Sequence, residues 1–165
     1  MKNKKILSFP LALAAVFAAL FLVGCGTPQP RSWNLVITKS TSASIEVDLI
    51  GVTVSGIPVW EGYNLDQYWS EGNLRRKEAK PLSKILEKDK PWLVSAKDAQ
   101  WQDWMKHGAT HLLIMANLPG HFEAGASDPR RLILSLADVY KSKNNTLEIE
   151  VQGTMISLLT PQKTK

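Results

Sequence analysis

Apolar and polar residues alternate along this chain in short runs, punctuated by Gly, Pro and Asn. Leu35, Val36 and Ile37 predict a first short strand. Ile45, Val47 and Leu49 alternate with Ser44, Glu46 and Asp48, the period of a half-buried strand. The apolar parity then changes to Ile50, Val52 and Val54, and Gly51 at the change predicts a bulge or bend. Gly56 and Pro58 break the pattern, and Val59 to Asn64 reads as a short strand or loop. Asn64 can cap a short helix through Ser70 with Leu65, Tyr68 and Trp69 on one face. The charged run from Arg75 to Lys90 reads as a solvated face, with Pro81 opening a helix that holds Leu82, Ile85 and Leu86.

Ser95 to Asp98 approximates a capping box, so a helix is predicted from Ser95. Trp101, Trp104 and Met105 share its face, and Gly108 stops it. Leu112 to Ala116 is a dense apolar run bounded by turn residues, which predicts a central strand buried on both faces. Residues 119–131 form a loop rich in Gly and Pro. Leu132 to Leu136, Leu147 to Val151 and Met155 to Leu159 predict three closing strands, paired antiparallel because their links are short. Lys141 to Asn145 is a polar turn, and the glycosylation-like Asn144-Asn145-Thr146 belongs to it. The fold class expected is mainly β: an antiparallel β-sandwich with short helical insertions.

The N-terminal segment does not belong to that pattern. Lys2, Lys4 and Lys5 precede an apolar run from Ile6 to Val23, and Leu22-Val23-Gly24-Cys25 closes it. A positive front, an apolar middle and small residues at the cut describe a secretory signal peptide. A transmembrane helix needs about 20 apolar residues, and this run is shorter and contains Pro10. The tetrapeptide resembles the lipobox of bacterial lipoproteins. That resemblance implies lipid attachment at Cys25, the only cysteine. Gly26 stands where an Asp would signal retention at the inner membrane, so the outer membrane is expected, on its periplasmic face. The expected organisation is a signal peptide over 1–24, a lipidated tether over 25–32, one sandwich domain over 33–160 and a polar tail over 161–165.

Charge changes the picture once the leader is set aside. The formal charge of +5 includes three leader lysines, leaving 17 basic against 15 acidic residues, or +2. That balance predicts no nucleic-acid binding, which needs a clustered basic face. Without a second cysteine, stability rests on the apolar core. Enzyme chemistry is not expected. His107, His111 and His121 lack a metal-site motif, and Gly108 separates the first two. No nucleophile elbow and no phosphate loop occurs. Glu46 with Asp48, and Glu148 with Glu150, read as the exposed polar halves of amphipathic strands. No metal or cofactor is expected. Trp60, Tyr63, Tyr68 and Trp69 form the candidate partner-binding group: they can hold a partner protein, stack on sugar rings, or cover one end of the sandwich.

The order of elements resembles the outer-membrane lipoprotein family of type VI secretion systems, TssJ or SciN. The resemblance is carried by Ile45 to Leu49, Gly56-Ile57-Pro58, Tyr63-Asn64-Leu65, Leu112 to Ala116 and the closing hairpin from Leu147 to Leu159. Gly51-Val52-Thr53 departs from the family's Asn-Pro segment. The resemblance implies a lipid-anchored scaffold that grips the periplasmic domain of an inner-membrane secretion component. The alternative expectation is a periplasmic binding module for a glycan or small ligand.

Overall fold

The computed structural model describes residues 29–120, 122 and 128–163. Within them lie the strands β1 (Asn34–Lys39), β2 (Ile45–Val52), β3 (Leu82–Leu86), β4 (Trp92–Val94), β5 (His111–Ala116), β6 (Arg131–Ser135), β7 (Thr146–Val151) and β8 (Ile156–Leu158). The helices are α1 (Ile57–Glu61), α2 (Leu65–Tyr68), α3 (Leu74–Ala79) and α4 (Ala99–Lys106). The protein is mainly β, as the alternation predicts. Its strands form two four-stranded sheets, β4-β1-β7-β8 and β3-β2-β5-β6.

The sandwich interior lies between the inner faces. Leu35 and Ile37, Val47 and Leu49, Leu112 and Ile114, and Leu147, Ile149 and Val151 meet there with almost no exposure. Trp101 and Trp104 of α4 join the same core. Asp98, rather than Ser95, caps α4: its Oδ1 accepts from the Gln100 and Trp101 amides at 2.9 and 3.4 Å. Asp98→Ala is expected to lower stability by about 1 kcal/mol, seen as a lower urea midpoint at unchanged slope. Gly108, at φ +81, ends the helix as expected.

The pairing departs from the antiparallel expectation in two places: β1 pairs parallel to β7, and β6 and β7 do not pair but lie in different sheets. β1 and β7 run parallel, from Asn34↔Thr146 to Lys39↔Val151. A parallel pair needs a long connection, and here the whole second sheet lies between the two strands in sequence. The closing strands divide accordingly: β6 pairs with β5, whereas β7 and β8 pair antiparallel in the other sheet. The turn between β6 and β7 crosses between sheets. Tyr140 is buried on that crossing, donating to the Ser135 carbonyl and lying edge-on to Trp33 at 5.3 Å.

Three local expectations are corrected. β2 carries no bulge at Gly51, because its pairing to β5 runs unbroken from Val47 to Val52. The change of apolar parity marks a strand buried on both faces. Odd residues point into the sandwich, and Ile50 and Val52 point outward beneath the helices. Gly51 stays small because Trp104 packs on it: an added Cβ would sit 2.5 Å from the Trp104 Cγ and closer still to its Cβ. Val59 lies in helix α1, which Pro58 opens, and not in a strand. Leu82 to Leu86 is strand β3, not a helix. Spacings of i and i+4 suit either element, and pairing with β2 decides.

Candidate functional site

Residues 53–81 leave the second sheet after β2, form α1, α2 and α3, and return at β3. Their apolar side chains cover the sheet's outer face in a second core. Ile50, Val52, Leu113 and Met115 from below meet Leu65 and Tyr68 from above, with Trp60, Tyr63 and Trp69 packed at its border. Asn64 caps α2 as predicted, its Oδ1 accepting from the Gln67 amide at 3.0 Å. Asn73 caps α3 in the same way, accepting from the Arg76 amide at 2.8 Å.

This covering places a carboxylate where sequence alternation predicts an exposed one. Asp48 has no solvent exposure. Both of its oxygens are fully used. Oδ2 accepts from the Tyr68 hydroxyl at 2.7 Å and from Arg76 Nε at 2.8 Å. Oδ1 accepts from the Ser83 hydroxyl at 2.5 Å and from an Arg76 terminal nitrogen at 3.2 Å. Arg76 also reaches Glu46 at 2.5 Å. Burying a carboxylate costs several kcal/mol unless its lone pairs are met, and here four donors meet them. Burial, and then the bond to Asp48, push the Tyr68 hydroxyl well above its ordinary pKa. Burial alone would lower the Arg76 pKa, but its bonds to Asp48 and Glu46 hold it above the usual arginine value. Glu148 and Glu150 differ from this pair, since they lie on the strand β7 and make no such network; Glu148 is exposed as predicted.

Two further arginines fasten the helices to the sheet. Arg131 of β6 donates to the carbonyls of Trp60, Glu61 and Tyr63 at 2.5–2.9 Å, closing the C-terminal end of α1 where a helix favours positive charge. Arg130 bridges Asp128 at 2.9 Å and Asp66 at 2.5 Å. Burial would raise the Asp128 pKa, but the bonds from Arg130 outweigh it and hold the carboxyl below the usual range.

The predicted aromatic group is therefore brought together, but mostly as a lining. Tyr68 is fully buried and offers no surface of its own. Trp60, Tyr63 and Trp69 are half-buried. Arginines stack on their rings: Arg76 lies 4.5 Å from the Trp69 ring centre, and Arg75 lies 4.7 Å from that of Tyr63 and 5.7 Å from that of Trp60. Val54, Val59 and Leu74 belong to the same segment and are exposed at 66, 49 and 71%. The arginines escaped sequence reasoning because a charged run after residue 74 reads as solvated; adjacent Arg75-Arg76 near four aromatics was the available signal.

Among the described residues, no group of three or more His, Cys, Asp or Glu side chains is placed to hold a metal ion. His107 is exposed at the end of α4 beside Asp103. His111 is half-buried on β5 against the Thr110 hydroxyl at 2.9 Å, and burial lowers its pKa. His121 and Cys25 lie outside the described residues, as do the predicted signal peptide and the start of the tether.

Comparison with solved structures adds the fold relationship. A chain in a structure described as a type VI membrane complex matches with a TM-score of 0.55 at 13% identity. The match covers 79% of this chain and 99% of that one. The fold resembles type VI secretion membrane-complex components. A chain in the structure of the T6SS protein TssM C-terminal domain from EAEC matches similarly, with a TM-score of 0.55 at 12% identity over 77% of this chain and 99% of that one. No family model and no curated protein matches the chain. Among the described residues, no helix is long and apolar enough to cross a membrane.

Proposed function

We propose that this protein is a lipid-anchored lipoprotein of the outer membrane's periplasmic face and serves as a non-catalytic scaffold of a type VI secretion membrane complex. The reading is supported jointly by the lipobox-like tetrapeptide ending at Cys25 and by a fold resembling type VI membrane-complex components over nearly the whole of the matched chain. In this reading the lipid at Cys25 holds the sandwich at the bilayer. The face built by α1, α2 and α3 contacts the periplasmic domain of an inner-membrane secretion component. Several copies in one assembly would raise the effective affinity of each contact. The glycan alternative has less support, because arginines occupy a face of the Tyr63 and Trp69 rings on which a sugar would stack.

Envelope fractionation with affinity capture tests this reading. Wild-type protein is expected in the membrane fraction together with secretion-complex components identified by mass spectrometry. Cys25→Ser is expected to retain the fold but lose both the membrane fraction and those components. Wild-type protein that stays at the membrane without any secretion component would overturn the scaffold role.

A further inference from the structure

Arg75 and Arg76 are consecutive and lie on the same bed of aromatic rings, yet their charges are met differently. Arg76 has its counter-ions inside the fold, Asp48 and Glu46. Arg75 stacks on Tyr63 and Trp60 but pairs with no carboxylate among the described residues. Its guanidinium is held by two rings, so little of its rotamer freedom is left to lose on binding. A guanidinium is a rigid fork of donors that fits a carboxylate through two parallel bonds. Leu74 precedes it, Val59 precedes Trp60, and both expose apolar surface. Arg, Trp and Tyr are also the residue types that dominate binding energy where apolar neighbours exclude water.

We propose that Arg75 is the anchor for a carboxylate side chain of a partner protein, with apolar partner residues beside it covering Val59 and Leu74. This rests on the scaffold reading and specifies the chemistry of its contact face. The occupant is an acidic, apolar segment of protein. The positive charge of Arg75, unpaired among the described residues, selects the carboxylate, and the exposed Leu74 and Val59, next in sequence to Arg75 and Trp60, select its neighbours. Arg76 does not take that role, because its Nε and one terminal nitrogen already hold Asp48 and Glu46 inside the fold.

Selection from a random displayed-peptide library against the full-length chain in detergent tests the proposal without any envelope component. Peptides enriched on wild type should carry Asp or Glu beside apolar residues. A synthetic copy of the best peptide should bind Arg75→Gln at least tenfold more weakly, and Arg75→Lys at an intermediate level, with thermal midpoints unchanged. Its binding to wild type should weaken as salt rises. Replacing the peptide's acid by Lys should abolish binding to wild type and restore it to Arg75→Glu. Peptides without acidic enrichment, or equal binding to wild type and Arg75→Gln, would overturn the proposal, as would preferential enrichment on neutral oligosaccharide arrays that survives Arg75→Gln. Failure of the scaffold reading is seen separately, in the fractionation experiment, which does not depend on Arg75.

Discussion

Arg76→Met is expected to remove about 3–5 kcal/mol of stability, the cost of leaving a buried charge without its partner. In the native protein Asp48 is fully buried and accepts four hydrogen bonds, two of them from Arg76. The variant leaves the carboxylate with two hydroxyl donors and no positive charge, beneath a helical cover that keeps water out. The cover should loosen with it, because α3 carries Arg76 and α2 carries Tyr68. Tyr68→Phe should cost less, since Arg76 and Ser83 still meet the carboxylate. Asp48→Asn in the Arg76→Met background should recover part of the loss, a coupling expected between side chains in one network. Urea unfolding of the four proteins checks this. A loss below about 1 kcal/mol for Arg76→Met would rank the contact with ordinary surface ion pairs.

Gly51→Val is expected to cost about 3 kcal/mol, the upper end of the usual overpacking penalty. The nearest atom to a new Cβ is the Cβ of Trp104, which cannot swing aside as the end of a flexible chain would. Either α4 moves off β2 or the strand distorts, and both disturb the packing of Trp101 and Trp104, whose rings lie 6.1 Å apart. Trp104→Ala should not rescue the variant, because its own Cβ remains. Gly62→Ala is the control: an added Cβ there meets only the Pro58 carbonyl oxygen at 3.5 Å, an ordinary contact. Near-ultraviolet circular dichroism and thermal unfolding would read the difference.

These two positions mark where the sequence was legible and where it was not. The amphipathic strands at residues 45–49 and 147–151 and the dense run at 112–116 were readable because sheet burial leaves a period of two or a continuous apolar run. The Asn64 cap was readable because it acts within a single turn. Gly51 reads as a bulge or bend because a strand covered on both faces shows apolar residues on both parities, as a bulged one does. Asp48 was expected in water because alternation reports which side of a strand a residue is on, not what covers that side. The covering segment takes its place through long-range contacts: Arg76 to Asp48, Arg131 to the end of α1, and Arg130 to Asp66. The parallel pairing of β1 with β7 was hidden for the same reason, as it joins residues more than 100 positions apart. The aromatic group was found by type and position, but its division into buried Tyr68 and ring surfaces shared with Arg75 and Arg76 depends on the fold.

The proposed scaffold role requires that the partner be met through the face formed by α1, α2 and α3. In-cell photo-crosslinking tests it most directly, with a photoreactive residue placed at Leu74, at Val59, or at the exposed Glu148 on the other sheet. A crosslink to the periplasmic domain of a secretion-complex component is expected from Leu74 and Val59 and none from Glu148, in folded, membrane-bound protein. A crosslink to that component from Glu148 alone, or from none of the three, would contradict it.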